Sequence, residues 1–439
     1  MSVDVHDLIG VGIGPFNLGL AALSAPVPEV SGLFLDEHEE FSWHPGMLIE
    51  GTTLQVPFLA DLVTMADPTS PYSFLAYLKA TGRLYPFFIR EDFHPLRAEY
   101  DAYCRWVAER VPGLRWGRRV ERIEHDGEVY RVSARDVRTG EVEVHLGRRL
   151  VLGVGTAPWI PEALRDLPGP AWHAAEYLPH KEELQTLGHV TVVGSGQSAA
   201  EVYLDLLTDA DRLGYRVDWV TRSPRFFPME VTKLTLEMTS PEYARYHHGL
   251  PMARRDALAR EQHHLYKGIS GDLVDAIYDT LYRTGRRGEV PTALLTGVDV
   301  AAAEWDAVRR EYSLRLHHEE SDRTATRTTR GLVLATGYRA RVPGFLEPVR
   351  DRIRWDARGR YDVALDHSVD VTGQEVFVQN AEEHTHSLIA PDLGMGAYRN
   401  SVILNAICGR EVYPVEEHIA YQEFGLAGSD VLTAVGAVR

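Results

Sequence analysis

The sequence predicts an α/β protein with two Rossmann-like dinucleotide-binding units, each a doubly wound parallel sheet, and a smaller, largely helical substrate-binding insertion. Two observations carry this: an apolar run passes into a glycine turn and a helix near the N-terminus, and the same pattern recurs near residue 190. A third is length, because 439 residues exceed what one simple core organises.

In the first pattern, Asp7-Leu8-Ile9-Gly10-Val11 reads as a buried strand, followed by Gly12-Ile13-Gly14-Pro15-Phe16-Asn17 and an apolar helix through Leu23. Gly12 permits the tight turn, and Gly14 lets backbone approach a pyrophosphate at the positive helix end. Asn17 stands where a third glycine is usual. A second strand, Gly32-Leu33-Phe34-Leu35, ends in Asp36, the position of a carboxylate that grips ribose hydroxyls. A chance glycine turn is the bland alternative.

The second pattern is Val190-Thr191-Val192-Val193 followed by Gly194-Ser195-Gly196-Gln197-Ser198-Ala199. The next strand ends at Thr221-Arg222 rather than at an acid. An arginine suits a 2′-phosphate, which points to NADPH over NADH. Two such units imply electrons passing from a nicotinamide to a flavin. The runs ending Gly153-Val154-Gly155 and Ala335-Thr336-Gly337-Tyr338 fit crossings between the units, or are ordinary strand ends.

The bulk numbers set limits. A hydrophobic fraction of 44% with 25% charged residues is globular composition. Forty-six basic against 63 acidic residues leave −17, which argues against nucleic acid and anionic membranes. That charge would favour a cationic substrate, though solubility alone also explains it. No apolar run of about 18 residues and no N-terminal leader appear, so a cytoplasmic protein without a membrane role is expected. Two cysteines far apart, Cys104 and Cys408, exclude a dithiol reductase.

With these pieces placed, the chain resembles the class B flavoprotein monooxygenases, and among them the N-hydroxylating monooxygenases of siderophore biosynthesis. The resemblance rests on the Gly-Pro-x-Asn form of the first turn, Phe41-Ser42-Trp43-His44-Pro45-Gly46-Met47, Gly196-Gln197-Ser198-Ala199-Ala200-Glu201, Ala335-Thr336-Gly337-Tyr338 and Asn380-Ala381-Glu382-Glu383-His384-Thr385-His386. Leu167-Pro168-Gly169 with His173 and Tyr177 looks like a variant of the class B linker. The resemblance implies that NADPH reduces FAD, that O2 adds to the flavin C4a carbon, and that the hydroperoxide oxidises a neutral amine while NADP+ stays bound. It implies a homo-oligomer, a tetramer. It places Gly12, Gly14, Pro15, Asn17, Asp36, Trp43, His44, Met47 and Gln55 at FAD. Gly194, Gly196, Gln197, Ser198, Arg222, Ala335, Thr336, Gly337 and Tyr338 complete the cofactor contacts, with Gln197 and Ser198 also serving catalysis.

Amino-acid hydroxylases of this family need a cation for the substrate carboxylate, and Ala60 stands where that lysine is expected. An unpartnered buried carboxylate is costly. A small cationic diamine, cadaverine or putrescine, is therefore the expected substrate, with Glu230 and Glu237 as candidate partners of the far ammonium. L-Lysine or L-ornithine is the alternative. A reductase serving a protein partner, a Baeyer–Villiger or sulfide oxygenase, and an FAD-binding redox sensor remain further readings. Residues 56–59 and Met65 could line an apolar channel or be core.

The units expected are FAD-binding over 1–165 and 340–439, and NADPH-binding over 166–339 with the insertion near 230–290. Residues 97–111 read as a packing helix, and Ser70-Pro71 as a helix start. No metal is expected, since His384 and His386 lack a third ligand. His247-His248 and His263-His264 read as surface or helix-face pairs, and His317-His318-Glu319-Glu320 as a solvated run.

Overall fold

A computed structural model describes residues 4–426. Residues 1–3 and 427–439, assigned above to the FAD-binding unit, lie outside the described residues.

Two five-stranded parallel sheets dominate. The first orders its strands Val376–Val378, Leu150–Leu152, Leu8–Val11, Gly32–Leu35 and Leu114–Arg115. These strands are short and apolar on both faces because helices cover one side and a four-stranded sheet the other, the pattern of buried parallel strands. The second orders Ala171–His173, Gly331–Leu334, His189–Val193, Arg216–Val220 and Thr292–Leu295. An antiparallel meander, Val298–Asp306, Glu311–His318 and Arg323–Thr329, packs beside it through Tyr312, Leu314 and Leu316. The chain crosses between the sheets twice, and the crossings pair antiparallel as Thr156–Pro158 with Tyr338–Ala340.

Five helices between Lys233 and Gly285 separate the fourth and fifth strands of the second sheet. Among the described residues, no helix is long and apolar enough to cross a membrane.

Several local expectations change. The helix Phe74–Ala80 is capped by Ser73, whose Oγ accepts from the Ala76 amide at 3.1 Å, so Ser70-Pro71 does not start it. The side chain, not the proline, fixes the start: a hydroxyl one residue before the first turn satisfies an amide that has no helical partner. His247 is buried, not superficial, and its Nδ1 donates to the Thr385 carbonyl at 3.1 Å. His248 likewise donates to the Val363 carbonyl at 2.8 Å. Phe58 packs among Phe74, Phe87 and Phe93, while Leu59 and Met65 face solvent, so of the proposed channel residues Val56 lines the cleft described next.

Candidate active site

A cleft of about 1000 Å³ gathers the carboxyl ends of the first sheet's strands at Val11, Leu35, Gly153 and Gln379, and takes in the start of the helix Gln197–Leu213 from the second unit. Ligands of open parallel sheets bind at strand carboxyl ends, where loops diverge and helix amides point outward.

The first glycine loop is built for close approach. Gly12 has φ +87°, and a Cβ there would lie 2.4 Å from the Gly153 carbonyl oxygen. Gly14 differs: it has extended backbone, precedes the helix Pro15–Ser24, and a Cβ on it would meet no protein atom within 4 Å. The space before the helix amides is thus open to the cleft. Pro15 at the first helical position surrenders an amide that would have had no helical partner. Asn17 is not free to hold a ligand through its amide: Nδ2 donates to Gly12 O at 2.8 Å and Val151 O at 3.3 Å, and Oδ1 accepts from Gln379 at 2.7 Å. It replaces the third glycine by stitching the turn to the neighbouring strand. Asp36 lines the cleft; its Oδ2 accepts from the Ile13 amide at 2.7 Å, and Oδ1 from the His38 amide at 2.9 Å. Oδ1 also meets His38 Nδ1 at 2.7 Å, which leaves Oδ2 with further acceptor capacity for a ribose hydroxyl.

Trp43, His44, Met47 and Gln55 all line the cleft. His44 is held in the left-handed region at φ 49°. Burial, with the Arg97 charge adding to it, pushes its ring below the usual histidine range, so it is neutral. Met47 packs into the hydrophobic core of the second unit beside Tyr177 and Val190, which ties the two units together there. Gln55 Nε2 is buried without a hydrogen-bond partner. An orphaned donor facing a cleft is costly unless a ligand satisfies it, and a polar ring edge of a flavin would do so.

The second loop repeats the design. Gly194, at φ +150°, brings its Cα so near Ala335 that a Cβ would lie 2.2 Å from that carbonyl, and its own carbonyl accepts from the Trp219 indole at 2.8 Å. Gly196 precedes the helix, whose first turn carries no side-chain cap. Ser198 and Gln197 line the cleft. Gln197 is committed elsewhere than expected: Oε1 accepts from the Ser270 amide at 2.9 Å and Nε2 donates to Glu201 at 2.8 Å. Arg222 is exposed and outside the cleft lining. Of residues 335–338, Tyr338 reaches the cleft, edge-on to His44 and His173. Thr336 instead donates to Trp159 O at 2.5 Å, and Gly337 O accepts from the Trp159 amide at 2.9 Å, so these two fasten the crossing.

On the substrate side, Glu230 lines the cleft but is exposed, and it accepts from Thr235 at 2.8 Å. Glu237 is turned away, accepting from the amide and side chain of Gln422. Ala60 is buried behind the wall. Arg97, which opens the helix Arg97–Ala108, lines the cleft and pairs with Glu201 at 2.7 Å, so this helix does more than pack. Asp392 is a cleft carboxylate that the sequence reading missed; the signal was an acid set in the turn-forming run Pro391-Asp392-Leu393-Gly394. His384 and His386 bond within the fold, His384 to Tyr361 O at 2.7 Å. Among the described residues, no group of three or more His, Cys, Asp or Glu is arranged to hold a metal.

The model of the L-lysine 6-monooxygenase/L-ornithine 5-monooxygenase family matches residues 4–340. The cadaverine monooxygenase of the desferrioxamine biosynthetic pathway from Erwinia amylovora, solved bound to FAD, is 52% identical with a TM-score of 0.95, covering 97% of this chain and 99% of that one. The putrescine N-hydroxylase of Shewanella oneidensis is 47% identical over 422 residues, 96% of this chain and 84% of its own. The ornithine N-hydroxylase of Kutzneria, solved with reduced FAD, NADP+ and L-ornithine, is 26% identical with a TM-score of 0.85, covering 92% and 99%.

Proposed function

Because this chain belongs to the L-lysine 6-monooxygenase/L-ornithine 5-monooxygenase family, we propose that it uses FAD, NADPH and O2 to hydroxylate one primary amine of cadaverine or putrescine, for hydroxamate siderophore biosynthesis. The observation that carries the reading is that two uncapped helix starts, Pro15–Ser24 and Gln197–Leu213, open on one cleft with apolar walls. Each is an anion site suited to a pyrophosphate.

Bound FAD, reduced by NADPH, supplies the oxygen activation that no side chain here can. The chain's residues bind and orient. The Gly12–Gly14 loop and the amides after Pro15 hold the FAD pyrophosphate, Asp36 the ribose, and Gln55 Nε2 the flavin ring edge. The loop around Gly194 and Gly196, with Ser198, would hold the NADPH pyrophosphate, and Arg222, just after the strand Arg216–Val220, would supply the cation for a 2′-phosphate. Val56, Leu236, Leu388 and Leu393 line the cleft. Such walls disfavour an ammonium, so the reacting amine loses its proton and its lone pair becomes available. They also exclude water that would divert reducing equivalents to peroxide.

Ala60 favours a diamine over lysine or ornithine, since no cation stands there for a substrate carboxylate. The same family reading makes the enzyme a cytoplasmic homo-tetramer, which sedimentation velocity checks. The deciding test measures NADPH oxidation together with hydroxylamine formation across cadaverine, putrescine, lysine and ornithine. Hydroxylamine from the diamines is expected. Peroxide alone with every amine would make the protein a reductase and overturn the reading.

A further inference from the structure

We infer that Asp392 anchors the far ammonium of the diamine, a role that rests on the reaction proposed above and that neither Glu230 nor Glu237 fills. Asp392 opens the short turn Leu393–Met395 that leads into the helix Gly396–Cys408. It lines the cleft beside Leu388, Pro391 and Leu393. Its Oδ1 accepts from the Gly394 amide at 2.6 Å, the Met395 amide also favours its ionised form, and among the described residues no Lys, Arg or His forms an ion pair with it. Burial pushes its carboxyl above the usual range, which backbone amides and the Arg399 charge only partly offset. Arg399 itself is committed to Glu382 and to the carbonyls of Ile389 and Ala390. Asp392 is therefore a half-buried acid on the cleft wall, lacking a direct cationic partner among the described residues, and an ammonium entering from the cleft would hold it ionised.

The surroundings explain why this acid stands free. A Cβ on Gly394 would lie 2.9 Å from Asp392 Oδ1 and 3.7 Å from the Ala60 Cβ. Glycine lets the carboxylate fold against the backbone and leaves the Ala60 methyl beside the same small space. A lysine at position 60 would bring its cation to this turn; alanine leaves the charge to the substrate.

The chemistry also needs the two ends of the substrate to differ. Cadaverine and putrescine are symmetrical, yet one amine must be neutral to react and the other stays charged. A carboxylate set beside the apolar side chains Leu388, Pro391 and Leu393 makes that choice. The amine beside Asp392 keeps its proton, and the amine among apolar side chains releases it.

The test compares cadaverine with 1-pentylamine, which has the same chain and no far ammonium, on FAD-loaded enzyme. Wild type should prefer cadaverine in kcat/KM by roughly 30- to 1000-fold, the size of a desolvated charge pair. Asp392→Asn keeps an acceptor for the Gly394 amide and should lower kcat/KM for cadaverine far more than for pentylamine, closing most of the gap between them. Asp392→Glu should keep the diamine preference and move it from cadaverine toward the shorter putrescine, because the carboxylate reaches one methylene further. Equal losses for both amines in Asp392→Asn, or loss of discrimination in Glu230→Gln with Asp392→Asn unaffected, overturns the assignment. So does a wild type that does not distinguish the two amines. A wild type forming no hydroxylamine from any amine overturns the proposed reaction itself. Should Asp392→Asn lose FAD, the chain-length shift in Asp392→Glu decides, and an unchanged ratio rejects the role.

Discussion

Arg97 Nη1 donates to Glu201 Oε2 at 2.7 Å, joining the helix Arg97–Ala108 to the helix Gln197–Leu213 across the cleft. Glu201 Oε1 accepts from Gln197, and Gln197 in turn accepts from the Ser270 amide. One line of hydrogen bonds, charge-assisted at Glu201, therefore runs from the first unit through the second to the helix Gly271–Gly285. Burial raises Glu201 while Arg97 opposes it, so the carboxylate depends on its partner.

Removing that partner is expected to be severe. Arg97→Met strands a carboxylate that is 3% exposed, at a cost of about 3–5 kcal/mol. Glu201→Gln keeps the hydrogen bonds to Gln197 and costs less. The double variant should recover part of the Arg97→Met loss, with a coupling of roughly 1–3 kcal/mol in urea unfolding. Strictly additive losses would mean that the pair does not join the units.

The two glycines of the first loop should fail in different ways. Gly14→Val has extended backbone and open space, so the protein should fold normally yet purify without yellow colour, because the side chain occupies the place of the pyrophosphate. Gly12→Ala meets the Gly153 carbonyl and carries a positive φ, so it should lose stability. Circular dichroism with flavin absorbance separates the two outcomes. A Gly14→Val protein that keeps a full complement of FAD would place the flavin elsewhere.

These two residues also show what the sequence could convey. Glycine turns, strand ends and Asp36 were legible because each is a local requirement of one backbone path. The bonding of Asn17, Gln197 and Arg97 was not legible because their partners lie far along the chain: Asn17 meets Gln379, Gln197 meets Ser270, and Arg97 meets Glu201; Asp392 was missed because only tertiary packing brings its turn to the cleft. A local pattern records the turn that carries a side chain, while its hydrogen-bond partner is set by tertiary packing.

Acid should unfold the protein in two stages. Burial pushes His247, His367, His384 and His386 below the usual histidine range, and ring nitrogens of His247 and His384 donate to carbonyls. The unfolded chain then binds more protons below about pH 6.5, so this stability is complete above that pH and lost as pH falls. Burial also works to raise Glu382, but Arg399 and His367 outweigh it and hold the carboxyl at about 2. Its contribution is present above the ordinary value of 4.5 and lost as pH falls from there toward about 2. Urea unfolding should show stability falling below pH 6.5 at about 1.4 kcal/mol per pH unit for each histidine that gains a proton on unfolding, and steepening below the Glu382 window. A flat profile between pH 7.5 and 5.5, on the order of two units, would mean that these histidines are already protonated in the fold.

The riskiest expectation concerns Ala60. Lysine differs from cadaverine by one carboxylate, so the pair isolates that group, and beside Asp392 it would be both unpaired and repelled. The cost should be on the order of 2–4 kcal/mol, or about 30- to 1000-fold in kcat/KM. Ala60→Lys brings a cation beside the Asp392 turn, where the two side chains pair, so cadaverine should lose efficiency while lysine gains little. Adding Asp392→Asn releases that cation for the substrate carboxylate, and lysine should then improve about 10- to 100-fold over wild type. The ordering matters more than any single rate: the single variant harms the diamine, and the double variant helps the amino acid. Efficiencies for cadaverine, putrescine, lysine and ornithine in the four proteins test it. If wild type hydroxylates lysine as well as cadaverine, the substrate carboxylate already has a partner and Ala60 does not set the choice of amine.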